Sequence, residues 1–138
     1  MKTQGWEIRL DIYFEKMRLV PFKRGQHDCA LFAGHCVDVM RETDLTSEFK
    51  QTPYHTREQA FEMLKSLGYD DLAAIATKKL GAPLPAPGYA QRGDCVLIEH
   101  ENQQALGIVD LSGRRAVTIG KEGFVFYPMK NWVTAWKV

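Results

Sequence analysis

Residues Ala82–His100 read APLPAPGYAQRGDCVLIEH, and two kinds of backbone meet inside this stretch. Three of the six prolines, Pro83, Pro85 and Pro87, fall in its first half. Proline fixes φ and has no amide hydrogen to donate, so neither a helix interior nor a central strand runs through it. From Asp94 the character changes to the β-favouring run DCVLIEH. The segment is therefore read as a stiff connector between a helical half before it and a strand half after it.

Outward toward the N-terminus the spacing is helical. Trp6, Leu10, Tyr13, Phe14 and Met17 recur every three or four residues, which predicts a helix of about four turns ended by Pro21. Pro21–His27 is a loop with Gly25 as its flexible point. Asp28 suits an N-cap for a second helix, Cys29 to about Arg41, with Cys29, Phe32, Ala33, Cys36, Val39 and Met40 on one stripe. Thr56 and Gln59 form a capping-box pattern opening a third helix, whose buried face is Ala60, Phe61, Leu64 and Leu67, with Gly68 at its end. Asp70 or Asp71 starts a fourth, with Leu72, Ile75, Ala76 and Leu80 inward and Gly81 closing it.

Outward toward the C-terminus, DCVLIEH, ALGIVD, RAVTIG and FVFYP are short strands separated by ENQQ, LSGR and KEG. Apolar residues occupy both faces of the first, so the sheet is expected to be covered on both sides. NWVTAWKV adds either an edge strand or two tryptophans packed on the helices. Helices first and an antiparallel sheet second predicts one α+β domain over residues 1–138.

Composition narrows the function classes. With 18 basic and 17 acidic residues the net charge is +1, which lacks the clustered basic surplus of a duplex nucleic-acid binder or a basic membrane-surface module. No apolar run approaches the roughly 20 residues of a membrane helix. The opening MKTQGWEIRLDIYF places charges where a secretion signal has its apolar core, so no such signal is expected. Three cysteines cannot form a full disulfide framework and point to a reducing compartment. No phosphate-cradling glycine motif is present, and no cofactor is expected.

The densest chemistry is GQHDCALFAGHC, Gly25–Cys36. A thiol at Cys29, in the first turn of a helix, feels the positive end of the helix dipole, which favours a nucleophilic thiolate. The same residue also reads as a small apolar side chain at the top of a buried stripe. Cys36, two turns lower, and Cys95, on a strand buried on both faces, read as core. A metal shared by His27, Cys29, His35 and Cys36 is disfavoured, because the two sulfurs lie roughly 10 Å apart along the helix. His55, in the polar turn PYHT, reads as a solvated loop residue.

Asp28–Cys29 at a helix start, a proline-rich connector, Gly93–Asp94 opening a sheet, and then ALGIVD follow one another in an order that resembles the NlpC-type cell-wall peptidases of the papain-like clan. The whole chain is also similar to a small family encoded among the tail-tip genes of tailed phages, through Trp6, PFKRGQHDCALF, QRGDCVLIE, ALGI, EGFVFYP and the AW at Trp136. The resemblance implies a papain-like fold, a virion-tail location after synthesis in the host cytoplasm, and other tail-tip proteins as partners. It gives Cys29 the place of the nucleophile. It also puts Ala105 where the catalytic histidine belongs and Thr118 near the third polar member, and alanine neither takes nor returns a proton. His100 is the candidate replacement base if it faces Ala105 across a hairpin; the alternative is an exposed histidine beside a turn. Two readings follow: a structural or assembly component of a phage tail tip on a degenerate peptidase fold, or an active thiol peptidase that cuts bacterial peptidoglycan with Cys29. Phe124, Phe126, Tyr127, Trp132 and Trp136 offer either a subunit contact or closure of the core.

Overall fold

In a computed structural model, which describes residues 1–50 and 53–138, the chain is an α+β protein with its helices before its strands. The helices are α1 (Trp6–Met17), α2 (Cys29–Arg41), α3 (Ser47–Lys50), α4 (Arg57–Ser66) and α5 (Leu72–Leu80). The strands are β1 (Cys95–His100), β2 (Gln103–Val109), β3 (Arg115–Gly120), β4 (Gly123–Pro128) and β5 (Trp132–Trp136). They form one antiparallel sheet in the order β4-β3-β2-β1-β5.

The helix starts follow their caps. Asp28 accepts the Leu31 amide at 3.0 Å and Asp71 accepts the Ala74 amide at 2.8 Å, each satisfying a donor of a first turn that has no intrahelical partner. Thr56 and Gln59 make both halves of the capping box. Gly68 ends α4 at a φ of +89°, where a side chain would be strained.

The connector does what its prolines dictate. It passes over the sheet face turned away from the helices, and the Leu84 amide donates to Ala135 of β5 at 2.8 Å. Both faces are covered, as the unbroken apolar run predicted. Cys95, Leu97, Leu106, Ile108, Val117 and Trp136 pack under α1 and α2, while Val96, Ile98, Val109, Ala116, Trp132 and Ala135 pack with Leu84 and Ala90. The C-terminal tail takes the edge-strand alternative, and only one of its two tryptophans reaches the helices. It is the edge strand β5, and the register shift opposite Leu97 and Ile98 turns Trp132 to the other face while Trp136 stays on the helix side, bonded to Thr77 at 3.1 Å.

Two expectations are corrected. Of the residues assigned to the buried face of α4, Phe61 and Leu67 are exposed, at 45% and 37%, and Met63 takes a buried place instead. The cause is that α4 packs only into a small satellite cluster with Tyr54, Tyr69 and Ile75, leaving most of its circumference free. Gln103 and Gln104, expected in a loop, belong to β2, and the turn shrinks to Glu101 and Asn102, both at positive φ (50° and 63°). The short α3 had no apolar period long enough to announce it.

Candidate functional site

Cys29 opens α2 at the floor of a cleft of about 770 Å³. One wall is α4 with the adjoining Phe49 and Tyr54; the other is formed by the β1–β2 turn and the end of β3. Behind the sulfur, Asp28 is buried and fully engaged. It accepts from the Leu31 amide, from the Gly25 amide at 3.1 Å, and from the Tyr54 hydroxyl. Gly25 is required here. Its φ is +80°, and a Cβ would stand 2.0 Å from the Tyr54 carbonyl oxygen.

Cys29 has the address of a nucleophile but not its electrostatics. Burial pushes the thiol up to about 11. The Asp28 carboxylate adds to that rise, while the backbone amides of Leu106 and Ala30 and the Arg24 guanidinium act against it without reversing it. The helix N-terminus therefore does not deliver the thiolate that position alone suggested, because desolvation and the capping carboxylate outweigh it. Cys36 and Cys95 are buried, as expected, and burial raises both thiols.

His100 does not supply a base to Cys29. His100 pairs with Gln103, while Ala105 opposes Ile98, so the direct His100–Ala105 pairing is replaced by a tighter hairpin. His100 shares the face of Val96 and Ile98, which is turned away from α2. Its ring lies 5.2 Å from that of Tyr127, and Nε2 is 3.6 Å from the Glu101 carboxylate. The structure thus does not bring His100 to Cys29. His27, one residue before the cap, is buried against the edge of Phe32, with Nε2 unbonded among the described residues. Burial, and then His35, depress its pKa. No histidine is among the groups that act on the Cys29 thiol. Thr118 is buried and donates to the Leu106 carbonyl at 2.8 Å, so it serves the sheet. Among the described residues no group of three or more His, Cys, Asp or Glu is placed to share a metal ion.

Several cleft residues gave no signal in the sequence. Tyr54 holds Asp28 from 26 positions away. In PYHT the histidine drew attention, whereas the tyrosine is the buried member. Arg24 lies over the Phe22 ring at 5.1 Å and Arg57 over the Phe61 ring at 5.5 Å, and all four residues line the cleft. Together these groups build an open apolar trough with a neutral thiol at its floor and guanidinium groups on its walls.

Fold and site together define a class of small α+β proteins in which a cysteine-headed central helix packs on a five-stranded antiparallel sheet. The chain belongs to the family described as domain of unknown function DUF6950, which matches residues 1–138. No curated protein matches it.

Proposed function

We propose that this chain is a non-catalytic assembly component of a phage tail tip, built on a degenerate thiol-peptidase fold of the NlpC type. The observation that carries the non-catalytic part is the placement of His100, the candidate base, on the sheet face turned away from Cys29. Burial also pushes the Cys29 thiol up, to about 11. A thiol peptidase needs a base that first takes the sulfur proton and then protonates the leaving amine. The only strand histidine described, His100, lies on the other side of the sheet. The fold assignment is supported by the sequence order of Asp28–Cys29 at a helix start, Gly93–Asp94 at a strand start, and ALGI on the second strand. The tail-tip role rests on the sequence resemblance and on a cleft suited to binding.

Two measurements test the proposal. Incubated with peptidoglycan stem peptides, the full chain is expected to release no product beyond that of Cys29→Ala. Turnover abolished by that substitution would establish the thiol peptidase instead. Mass spectrometry of purified particles of a phage encoding the chain should find it in the tail; its absence from the particle removes the assembly role.

A further inference from the structure

The sheet contains a fork beside Cys29. The β2–β3 ladder covers only Val109↔Ala116 and Ile108↔Val117, although both strands run on. Gly107 marks the point of divergence, where a Cβ would meet Ile98 Cδ1 at 2.6 Å and the Val117 carbonyl oxygen at 2.7 Å. Beyond it β2 stays paired with β1, and Thr118–Gly120 stay paired with β4. The gap between them opens into the cleft, lined there by Gln104, Ile119 and Lys121.

The direction of the peptide groups follows from the bonds that are made. The Asp110 amide donates to Arg115 at 2.9 Å and the Leu106 carbonyl accepts from Thr118, so the even-numbered residues of β2 turn their peptide groups toward β3. Val109 donates the other way, to Asp94 at 2.9 Å. Gln104 therefore turns its N–H and C=O into the gap, and Ile119 does the same from β3. These are the groups of a ladder that was left open, and an edge of this kind is a template for one more strand.

The cleft is charged along its lining, with three cations and three carboxylates. Arg24, Arg57 and Lys121 line it, and none of them forms an ion pair among the described residues. Of the cleft carboxylates, Asp28 is buried with three donors and Asp71 caps α5, while Glu99 faces the Gln104 side-chain amide at 3.4 Å. Guanidinium groups stacked on Phe22 and Phe61 are oriented donors suited to carboxylates. Between them lie exposed Phe61 and the apolar side chains of Leu64 and Leu72.

We infer that the fork is a docking slot for an extended segment of a partner protein, one that carries carboxylates beside apolar side chains and bonds to β2 at Gln104. This rests on the non-catalytic reading and names the class of partner it serves. Backbone bonds along Gln104 supply affinity without sequence, and the arginines and lysine select the charge.

The test uses the full chain, immobilised against a random library of peptides of about ten residues, roughly 33 Å when extended. Enriched peptides are expected to combine Asp or Glu with apolar residues and to lack central proline. By fluorescence polarisation, a synthetic winner should bind Arg57→Glu or Lys121→Glu at least ~10-fold more weakly, and Lys130→Glu, outside the cleft, unchanged. Hydrogen exchange at the Gln104 amide should slow when the peptide binds. The slot is overturned by no enrichment, by basic or unbiased winners, by winners indifferent to both reversals, or by protection elsewhere. Self-association with Gln104 protected overturns it in favour of a second copy. Hydrolysis of a bound winner would instead remove the non-catalytic reading and leave the slot standing, whereas an inert chain that selects nothing loses the slot alone.

Discussion

At the scale of single residues, the chemistry of this protein turns on how much water reaches a sulfur. With its thiol at about 11, Cys29 holds roughly one part in ten thousand as thiolate at neutral pH. Alkylation of Cys29 by iodoacetamide, followed by mass spectrometry, should therefore keep accelerating from pH 7 to 10; a plateau below pH 8 would show an activated thiol. Tyr54 offers the second residue-scale prediction. Its hydroxyl donates to a buried carboxylate that also caps α2. Tyr54→Phe should cost about 1–3 kcal/mol in chemical denaturation, because a buried charge loses a donor. A value near zero would mean that water replaces the hydroxyl. Asp28 as a cap and Cys29 as the first helical residue were legible because capping is a local bond. The partner of Asp28 was not, since Tyr54 reaches it through the fold.

At the scale of elements, boundaries set by local chemistry were read correctly and those set by pairing were not. The α4 start followed from Thr56 and Gln59 alone and the α2 start from Asp28, while of the two aspartates offered for α5 the structure takes Asp71. The β1–β2 turn was misjudged because Gln103 and Gln104 are polar, and only their pairing with His100 and Glu99 makes them strand. That two-residue difference in the turn changed the partner of His100. The fork is the other product of pairing, and Gly107 is its testable hinge. Gly107→Ala should cost about 1–3 kcal/mol, since the new methyl group meets both Ile98 and the β3 backbone. Thermal unfolding checks this, and an unchanged midpoint would mean that β3 already stands clear of β2.

At the scale of the whole molecule, α2 sits where everything converges. Phe32, fully buried, meets the rings of Tyr13, Phe14, His27 and Phe124. The interior around it stores proton linkage. Burial raises Cys29 to about 11 and Cys95 to about 12, and raises the Tyr13 and Tyr54 phenols as well. Unfolded, thiols release their protons near 8.5 and phenols near 10 (about these values in free chains). Between those values and the folded ones the unfolded chain binds fewer protons than the native one, so stability falls as pH rises. Melting temperature should hold up to about pH 8 and decline steadily above about pH 9. His27 works from the other side. Its lowered pKa means the unfolded chain binds the extra proton first, so its contribution is lost as pH falls below about 6.5. Melts across the pH range check both limbs, and a flat alkaline limb to pH 11 would contradict the buried thiols.

Much of the architecture is local in origin. Three prolines divided the chain, capping residues placed the helices, and unbroken apolar runs announced a sheet covered on both faces. These follow from interactions within a few residues, which the chain carries wherever it folds. Only the tertiary structure decided the character of the site. Whether Cys29 ionises depends on burial and on Asp28, the cross-strand partner of His100 depends on register, and the open backbone at Gln104 depends on β3 parting from β2 beside Gly107. Desolvation and strand pairing are properties of distant parts brought together, and no local spacing records them.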